Sequence, residues 1–226
     1  MKAAVLNSPQ TPLSIEELTL DKPGPTEAII RVIAAGVCHS DLHFIEGTYP
    51  TRHPAVLGHE VAGIVSEVGS AVTNVSAGDR VIIGFVQPCG HCADCDSGRP
   101  NLCSQGAPRR ESPGLMRDGE AVTQMANVGG FAEYVITYAS GLVKVADDIP
   151  LEIAALVGCS VMTGYGAVVN TAGVTPGSTV AVIGAGGVGL NIIQTAALAG
   201  AEKVIAVDMV EHKLTTAREF GATDVI

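Results

Sequence analysis

Residues Gly36 to His43 read G-V-C-H-S-D-L-H and gather a thiol, two imidazoles, a hydroxyl and a carboxylate within eight positions. Such a stretch is poorly suited to a hydrophobic core. Cys38 can bind a metal as thiolate, Ser40 and His43 can pass a proton, and Asp41 can orient a ligating histidine from behind. Leu57 to Glu60 (L-G-H-E) and Val157 to Ser160 (V-G-C-S) add His59, Glu60 and Cys159. Cys38, His59 and Cys159 together offer two thiolates and one imidazole, which suits a catalytic zinc with its fourth position open to water or substrate. Glu60 is either a surface charge or a carboxylate tuning the metal from behind.

The other four cysteines, Cys89, Cys92, Cys95 and Cys103, are spaced C-x2-C-x2-C-x7-C in a polar stretch. Buried small residues have no reason to recur every third position there, whereas four thiolates suit a closed tetrahedral zinc that orders its loop. His91 reads as a solvated bystander.

A third site begins at Thr179 to Gly184, a continuous apolar strand that runs into G-A-G-G-V-G at Gly184 to Gly189. A strand followed by G-x-G-x-x-G and a helix lets the backbone of Gly184, Gly186, Gly187, Val188 and Gly189 approach a pyrophosphate at the helix N-terminus. Asp208 ends the next strand, 19 residues after Gly189. A carboxylate there accepts from both ribose hydroxyls of NAD and repels the 2′-phosphate of NADP. Lys213 either touches the adenosine ribose or is solvated.

These sites need elements to hold them. Residues 1 to about 35, Val61 to Val68 and Arg80 to Val86 alternate short β-branched runs with Pro/Gly punctuation, predicting antiparallel strands. Gly84 to about Gly129 lacks periodicity and reads as a loop excursion. Helical spacing appears at Leu151 to Leu156 and Met162 to Asn170, and strand, helix, strand, helix then predicts a parallel sheet. The expected class is α/β, with a β-rich domain at 1–155 carrying a zinc lobe at 86–104, and the first half of a Rossmann sheet at 156–226. The net charge of −10, with no basic cluster, excludes a nucleic-acid or anionic-membrane surface and favours a small-molecule partner. No run approaches the roughly 18 apolar residues of a membrane span or forms a signal peptide, so the expected location is cytoplasmic and metal ligation explains the six cysteines better than disulfides do.

A tetrathiolate lobe, a Cys/His/Cys set and a Rossmann fingerprint in this order resemble the zinc-dependent medium-chain alcohol dehydrogenases. G-H-E, T-G-Y-G-A at Thr163 to Ala167, G-A-G-G-V-G and G-A-T-D at Gly221 to Asp224 carry the resemblance. It implies a GroES-like catalytic domain followed by a coenzyme domain, two zinc ions per chain and NAD-linked interconversion of an alcohol with an aldehyde or ketone. Cys38, His59 and Cys159 would hold the catalytic zinc, with Asp41 and Glu60 behind them, and Ser40 and His43 would relay the alcohol proton. His39 would lie by the coenzyme pyrophosphate, where some members carry arginine, while Thr163 would line the nicotinamide and Phe85 the substrate pocket. Family chains continue well beyond position 226, completing the coenzyme sheet and a homo-oligomer interface. Ending at Ile226, the first coenzyme strand is expected to be an uncovered edge that weakens coenzyme binding. Two alternatives stay open: a zinc-ordered remnant without catalysis, and a polyol or thiol-adduct dehydrogenase on the same scaffold.

Overall fold

Each β-branched run of the first part of the chain has an apolar face to bury, and pairing in sheets is how it does so. A computed structural model describes residues 1–106 and 113–226, which divide into two compact units, Met1–Gly158 and Cys159–Ile226. In the first unit, β1 (Lys2–Leu6), β2 (Ser14–Glu17), β3 (Glu27–Gly36), helix α1 (His39–Glu46), β4 (Glu60–Val68), β5 (Arg80–Ile83), β6 (Tyr134–Tyr138) and β7 (Leu142–Lys144) follow one another. The main sheet is antiparallel in the order β6-β3-β4-β5-β7. Its core is Ala28, Ile30, Val61, Val65, Val81, Ile83, Val135 and Leu142. A second sheet joins Thr123–Gln124, Ala55–Val56, β1 and β2 over Ala3, Val5, Val56 and Leu115.

Register explains why this unit can build a site. Gly36 at the end of β3 pairs with Glu60 at the start of β4, and Val61 pairs with Ile83 at the end of β5. The chain segments carrying Cys38, His59 and Phe85 therefore leave the sheet at one end. Register shifts between Ile29 and Ile30 and between Val32 and Ala34 interrupt β3, which bends a strand and adds local twist. Gly63 sits at a close approach in the same pair, since a Cβ there would lie 2.2 Å from the Arg31 carbonyl oxygen.

The expected loop excursion from Gly84 to Gly129 contains more structure than its composition suggests; its residues 107–112 lie outside the described residues. It holds the short helix Ala93–Asp96, a 3-10 turn at Pro100–Leu102, the hairpin Leu115–Arg117 with Glu120–Ala121, and Thr123–Gln124. Strands of two or three residues have too few alternations to leave a readable period. The expected helix at Leu151 to Leu156 is α-helical only over Leu151–Ala154 and tightens to 3-10 over Ala155–Gly158.

In the second unit, α2 (Ser160–Gly166) begins two residues before the helical spacing suggested and widens into a π-helical turn at Ala167–Thr171. Then come β8 (Thr179–Ile183), α3 (Gly187–Leu198), β9 (Lys203–Val207), α4 (Glu211–Glu219) and β10 (Asp224–Val225). The strands are parallel in the order β8-β9-β10, over Val182, Ile193, Ala196, Val204, Ala206 and Ala217. The fold is thus α/β, a β-rich unit of antiparallel sheets followed by a parallel βαβαβ unit. No single helix among the described residues is long and apolar enough to cross a membrane.

One ionic network fastens β2 to the strand at Leu115–Arg117. Glu16 accepts from the Ser14 hydroxyl, from Arg117 Nη1 at 2.7 Å and from Asn7 Nδ2 at 2.6 Å, and these donors hold its carboxyl down to about 2 from 4.5. The folded-state value lies below the ordinary one, so the stabilisation is complete above about 4.5 and is lost as pH falls toward about 2. Glu16→Gln should therefore lower the unfolding temperature at neutral pH, with the gap to the parent narrowing steadily below pH 4.5, as thermal melts across that range will show.

Candidate metal centres and coenzyme turn

Cys38 is the N-cap of α1, and Asp41 occupies the third helical position. The Asp41 carboxylate accepts the Cys38 N–H at 2.9 Å and the Gly58 N–H at 3.0 Å, and its Oδ1 lies 3.4 Å from His59 Nδ1. Asp41 and His59 are each only 1% exposed. A buried carboxylate facing Nδ1 favours the tautomer with its proton there, which leaves Nε2 as the lone-pair nitrogen for a metal. Donor atoms of Cys38, His59 and Glu60 lie within 4.8 Å of one another. Glu60 is buried, so of its two readings the surface charge is excluded. Burial pushes the Cys38 thiol up, but hydrogen bonding from the Ser40 backbone and hydroxyl, and then from His59, outweighs it and holds the thiol below its ordinary value. That is the bias a metal-binding thiolate needs.

Around this centre, Phe85 sets its ring edge-on to His59, with centroids 5.5 Å apart. Ser40 Oγ lies 3.7 Å from Cys38 Sγ. His43, on the same helix, packs edge-on against His39 at 4.8 Å and at a tilt against Tyr49 at 4.9 Å. No hydrogen bond joins Ser40 directly to His43 among the described residues. Tyr49 had no signal in the sequence, because its place beside His43 follows from the turn after α1. Cys159 opens the second unit, directly after Gly158.

The lobe brings Cys89, Cys92, Cys95 and Cys103 together. The Sγ separations are 3.5 Å for Cys92–Cys95, 3.8 Å for Cys92–Cys103 and 4.0 Å for Cys89–Cys95. Tetrahedral zinc with bonds of about 2.3 Å requires sulfur–sulfur edges of about 3.8 Å, so the donor set fits the ion. Backbone N–H groups of Cys89 at 3.3 Å and Gly106 at 3.2 Å point at Cys103 Sγ and help to hold that thiol down to about 6. Burial and the neighbouring sulfurs push Cys95 up to about 12. Four thiolates so close repel one another unless a cation lies between them. The Gly106 donor escaped sequence reasoning because a backbone N–H has no residue signature. His91 is exposed and its Nδ1 lies 2.8 Å from the Cys89 carbonyl.

In the second unit, Gly184 adopts φ +96°, a left-handed conformation suited to glycine. A Cβ on Gly189 would lie 1.8 Å from the Gly184 carbonyl oxygen, so only glycine lets α3 start this close to β8. Gly186 and Gly187 meet nothing within 4 Å, which leaves their backbone open to a phosphate. Val188 follows in the first turn of α3. Asp208 Oδ2 accepts the Ala185 N–H at 2.8 Å and Oδ1 accepts the Val210 N–H at 3.0 Å. The Ala185 bond is the main reason its carboxyl stays ionised below its ordinary range. Lys213 Nζ lies 3.9 Å from Asp208 Oδ2, so Lys213 faces the carboxylate. Thr163 lies on α2, beside Gly164, whose missing Cβ lets α2 pack on Asn191 of α3.

The lobe geometry yields a direct expectation. Cys103→Ala should remove about one zinc per chain and reduce solubility and thermal stability, because so polar an excursion has little apolar burial to replace the metal. Elemental analysis paired with calorimetric melting reads both; unchanged zinc and melting would overturn the tetrathiolate assignment.

Two family profiles match the chain, one described as alcohol dehydrogenase GroES-like domain over residues 24–147 and one described as zinc-binding dehydrogenase over residues 187–226. The chain is similar to the NDMA-dependent alcohol dehydrogenase of Amycolatopsis methanolica, with 46% identity over 228 residues, covering 98% of this chain and 62% of the relative. Among solved structures it is similar to an alcohol dehydrogenase zinc-binding domain protein from Burkholderia ambifaria, with a TM-score of 0.93, 38% identity and coverage of 100% and 63% of the two chains. Benzyl alcohol dehydrogenase from Acinetobacter calcoaceticus is similar at a TM-score of 0.90 and 37% identity, again with coverage of 100% and 63%. The chain thus spans a little under two thirds of the length of these relatives. The profile matches, joined to the two units described above, show that the chain belongs to the zinc-dependent medium-chain alcohol dehydrogenase family.

Proposed function

We propose that the chain carries the two zinc sites and the adenosine side of the coenzyme site of an NAD-linked oxidoreductase that interconverts a small alcohol with an aldehyde or ketone. One observation carries this reading. A half-buried thiol, Cys38, and a buried imidazole, His59, have donor atoms within 4.8 Å, and a buried carboxylate faces the imidazole from behind. Cys159 is proposed as the third ligand. Its predecessor in the chain, Gly158, is seated where a Cβ would lie 2.9 Å from the Ile83 carbonyl oxygen and 3.5 Å from that of His59.

A zinc ion held by these residues supplies Lewis-acid polarisation of an alcohol oxygen. Asp41 would keep His59 in the ligating tautomer, and Glu60 places a buried carboxyl group beside the ligands. Ser40, within reach of Cys38, and His43, three residues further on α1, would take the hydroxyl proton toward solvent. Phe85 presents an apolar face to the substituent on the carbinol carbon. On the coenzyme side, the Gly184 to Gly189 turn would seat the pyrophosphate with His39 nearby, Asp208 would accept from the adenosine ribose, and Thr163 would line the nicotinamide. Cytoplasmic location and homo-oligomerisation of the complete protein remain part of this proposal, as do the 1–155 and 156–226 domain limits.

Metal analysis tests the first half of the reading. A metal-replete preparation should hold about two zinc ions per chain. Cys159→Ala should lower that toward one while the lobe stays ordered, and a folded, replete parent with a single zinc would refute the catalytic site. Coenzyme binding tests the second half. NAD should bind in preference to NADP, and Asp208→Gly should narrow the preference, because a carboxylate facing a 2′-phosphate is repelled by it and forfeits the ribose hydrogen bonds. Equal calorimetric affinities of the parent for the two coenzymes would reduce Asp208 to a residue that only braces the glycine turn.

A further inference from the structure

Between β5 and the first lobe cysteine the chain makes a turn, Gly84 to Pro88, that none of the motifs explains. Phe85 and Val86 are exposed on it at 47% and 36%, yet Gln87, the next residue, is 4% exposed. A primary amide is costly to bury unless its polar atoms are matched. Gln87 Nε2 donates to the Gly84 carbonyl at 3.0 Å and to the Phe85 carbonyl at 3.4 Å, while its Oε1 accepts from Asn127 Nδ2 at 3.4 Å. Both carbonyls belong to chain that has left the sheet. Packing closes the arrangement: a Cβ on Gly141 would lie 2.8 Å from Gln87 Cγ, and the Gly84 N–H donates to the Gly141 carbonyl at 2.8 Å. Asn127, the partner amide, is held at φ +55°, a conformation asparagine tolerates better than most residues.

We propose that Gln87 is a positioning residue for the substrate pocket, its buried carboxamide fixing the Gly84–Phe85 backbone so that the Phe85 ring stays edge-on to His59. The proposal rests on the reading of Phe85 as a pocket residue. A ring that is half exposed and still held 5.5 Å from a buried imidazole needs its backbone restrained, because packing among the described residues leaves 47% of Phe85 exposed. Gln87 supplies that restraint from inside. It also lies two residues before Cys89, so the tetrathiolate lobe and the pocket are joined through one short turn. The ligand class this favours is an alcohol bearing a flat apolar substituent, which gains from a ring held still, over a short aliphatic alcohol, which hardly touches it.

The chain has four phenylalanines, so 4-fluorophenylalanine labelling gives four fluorine signals, and Phe85→Leu identifies the one at position 85. Gln87→Met keeps the volume and removes the hydrogen bonds; Asn127→Gly removes the outer partner at a position whose φ of +55° glycine adopts without strain, and protects the test against a variant that fails to fold. In zinc-replete protein, Gln87→Met should shift and broaden the Phe85 signal, leave the other three in place and leave zinc content unchanged. Benzyl alcohol should move the parent Phe85 signal with an affinity about three- to tenfold higher than in Gln87→Met, the range one neutral hydrogen bond supplies, while the response to ethanol changes little. Asn127→Gly should act in the same direction and less. An unmoved Phe85 signal in both variants, with the parent still answering to benzyl alcohol, overturns the positioning role. A parent signal indifferent to every alcohol overturns instead the reading of Phe85 as a pocket residue.

Discussion

A carboxylate with 1% exposure has to be surrounded by donors, and the site in the first unit is built outward from that requirement at Asp41. The donors are the Cys38 N–H, the Gly58 N–H and the Nδ1 side of His59. They come from the start of α1 and from the segment entering β4. Meeting the electrostatic demand of one side chain therefore ties a thiol-bearing helix cap to an imidazole 21 positions later in the chain. The same contact chooses the imidazole tautomer. The β3–β4 register supplies the placement, and the carboxylate supplies the orientation.

The tetrathiolate lobe answers a different physical problem. Its segment has little apolar burial, with Leu102 itself 54% exposed, so the proposed ligation, together with backbone donors, would supply its order. Opposite displacements of Cys95 and Cys103, toward about 12 and about 6, show how unevenly the four sulfurs are solvated and hydrogen-bonded. A divalent ion held there would remove that unevenness by favouring the thiolate form of all four. Because the lobe joins β5 through Gln87, order there is also order at the turn that carries Phe85.

Within the second unit the carboxylate at the end of β9 plays a comparable part. Asp208 is held by the Ala185 and Val210 N–H groups, so its orientation is set before any ligand arrives. Gly189 lets the helix begin against the Gly184 carbonyl, and the open backbone at Gly186 and Gly187 faces outward. Preorganised donors and a missing side chain are what a pyrophosphate requires.

The residue string alone determined the features whose parts are neighbours along the chain. The lobe was legible because its four cysteines fall within fifteen positions, and the glycine turn because strand, turn and helix are consecutive. The α/β class followed from a change of period near Pro150, which is again local. Tertiary structure decided the rest. Cys38 and His59 meet only because Gly36 pairs with Glu60, and a strand register depends on packing that no spacing reveals. Glu60 had two readings until burial removed the solvated one. Ser40 and His43 shared a motif, yet the fold set His43 against His39 and Tyr49 rather than against the hydroxyl. Gln87 lies in no motif. Its role arises from carbonyls left over where β5 ends, and which backbone groups go unpaired is settled by where the sheet stops, a property of the whole fold.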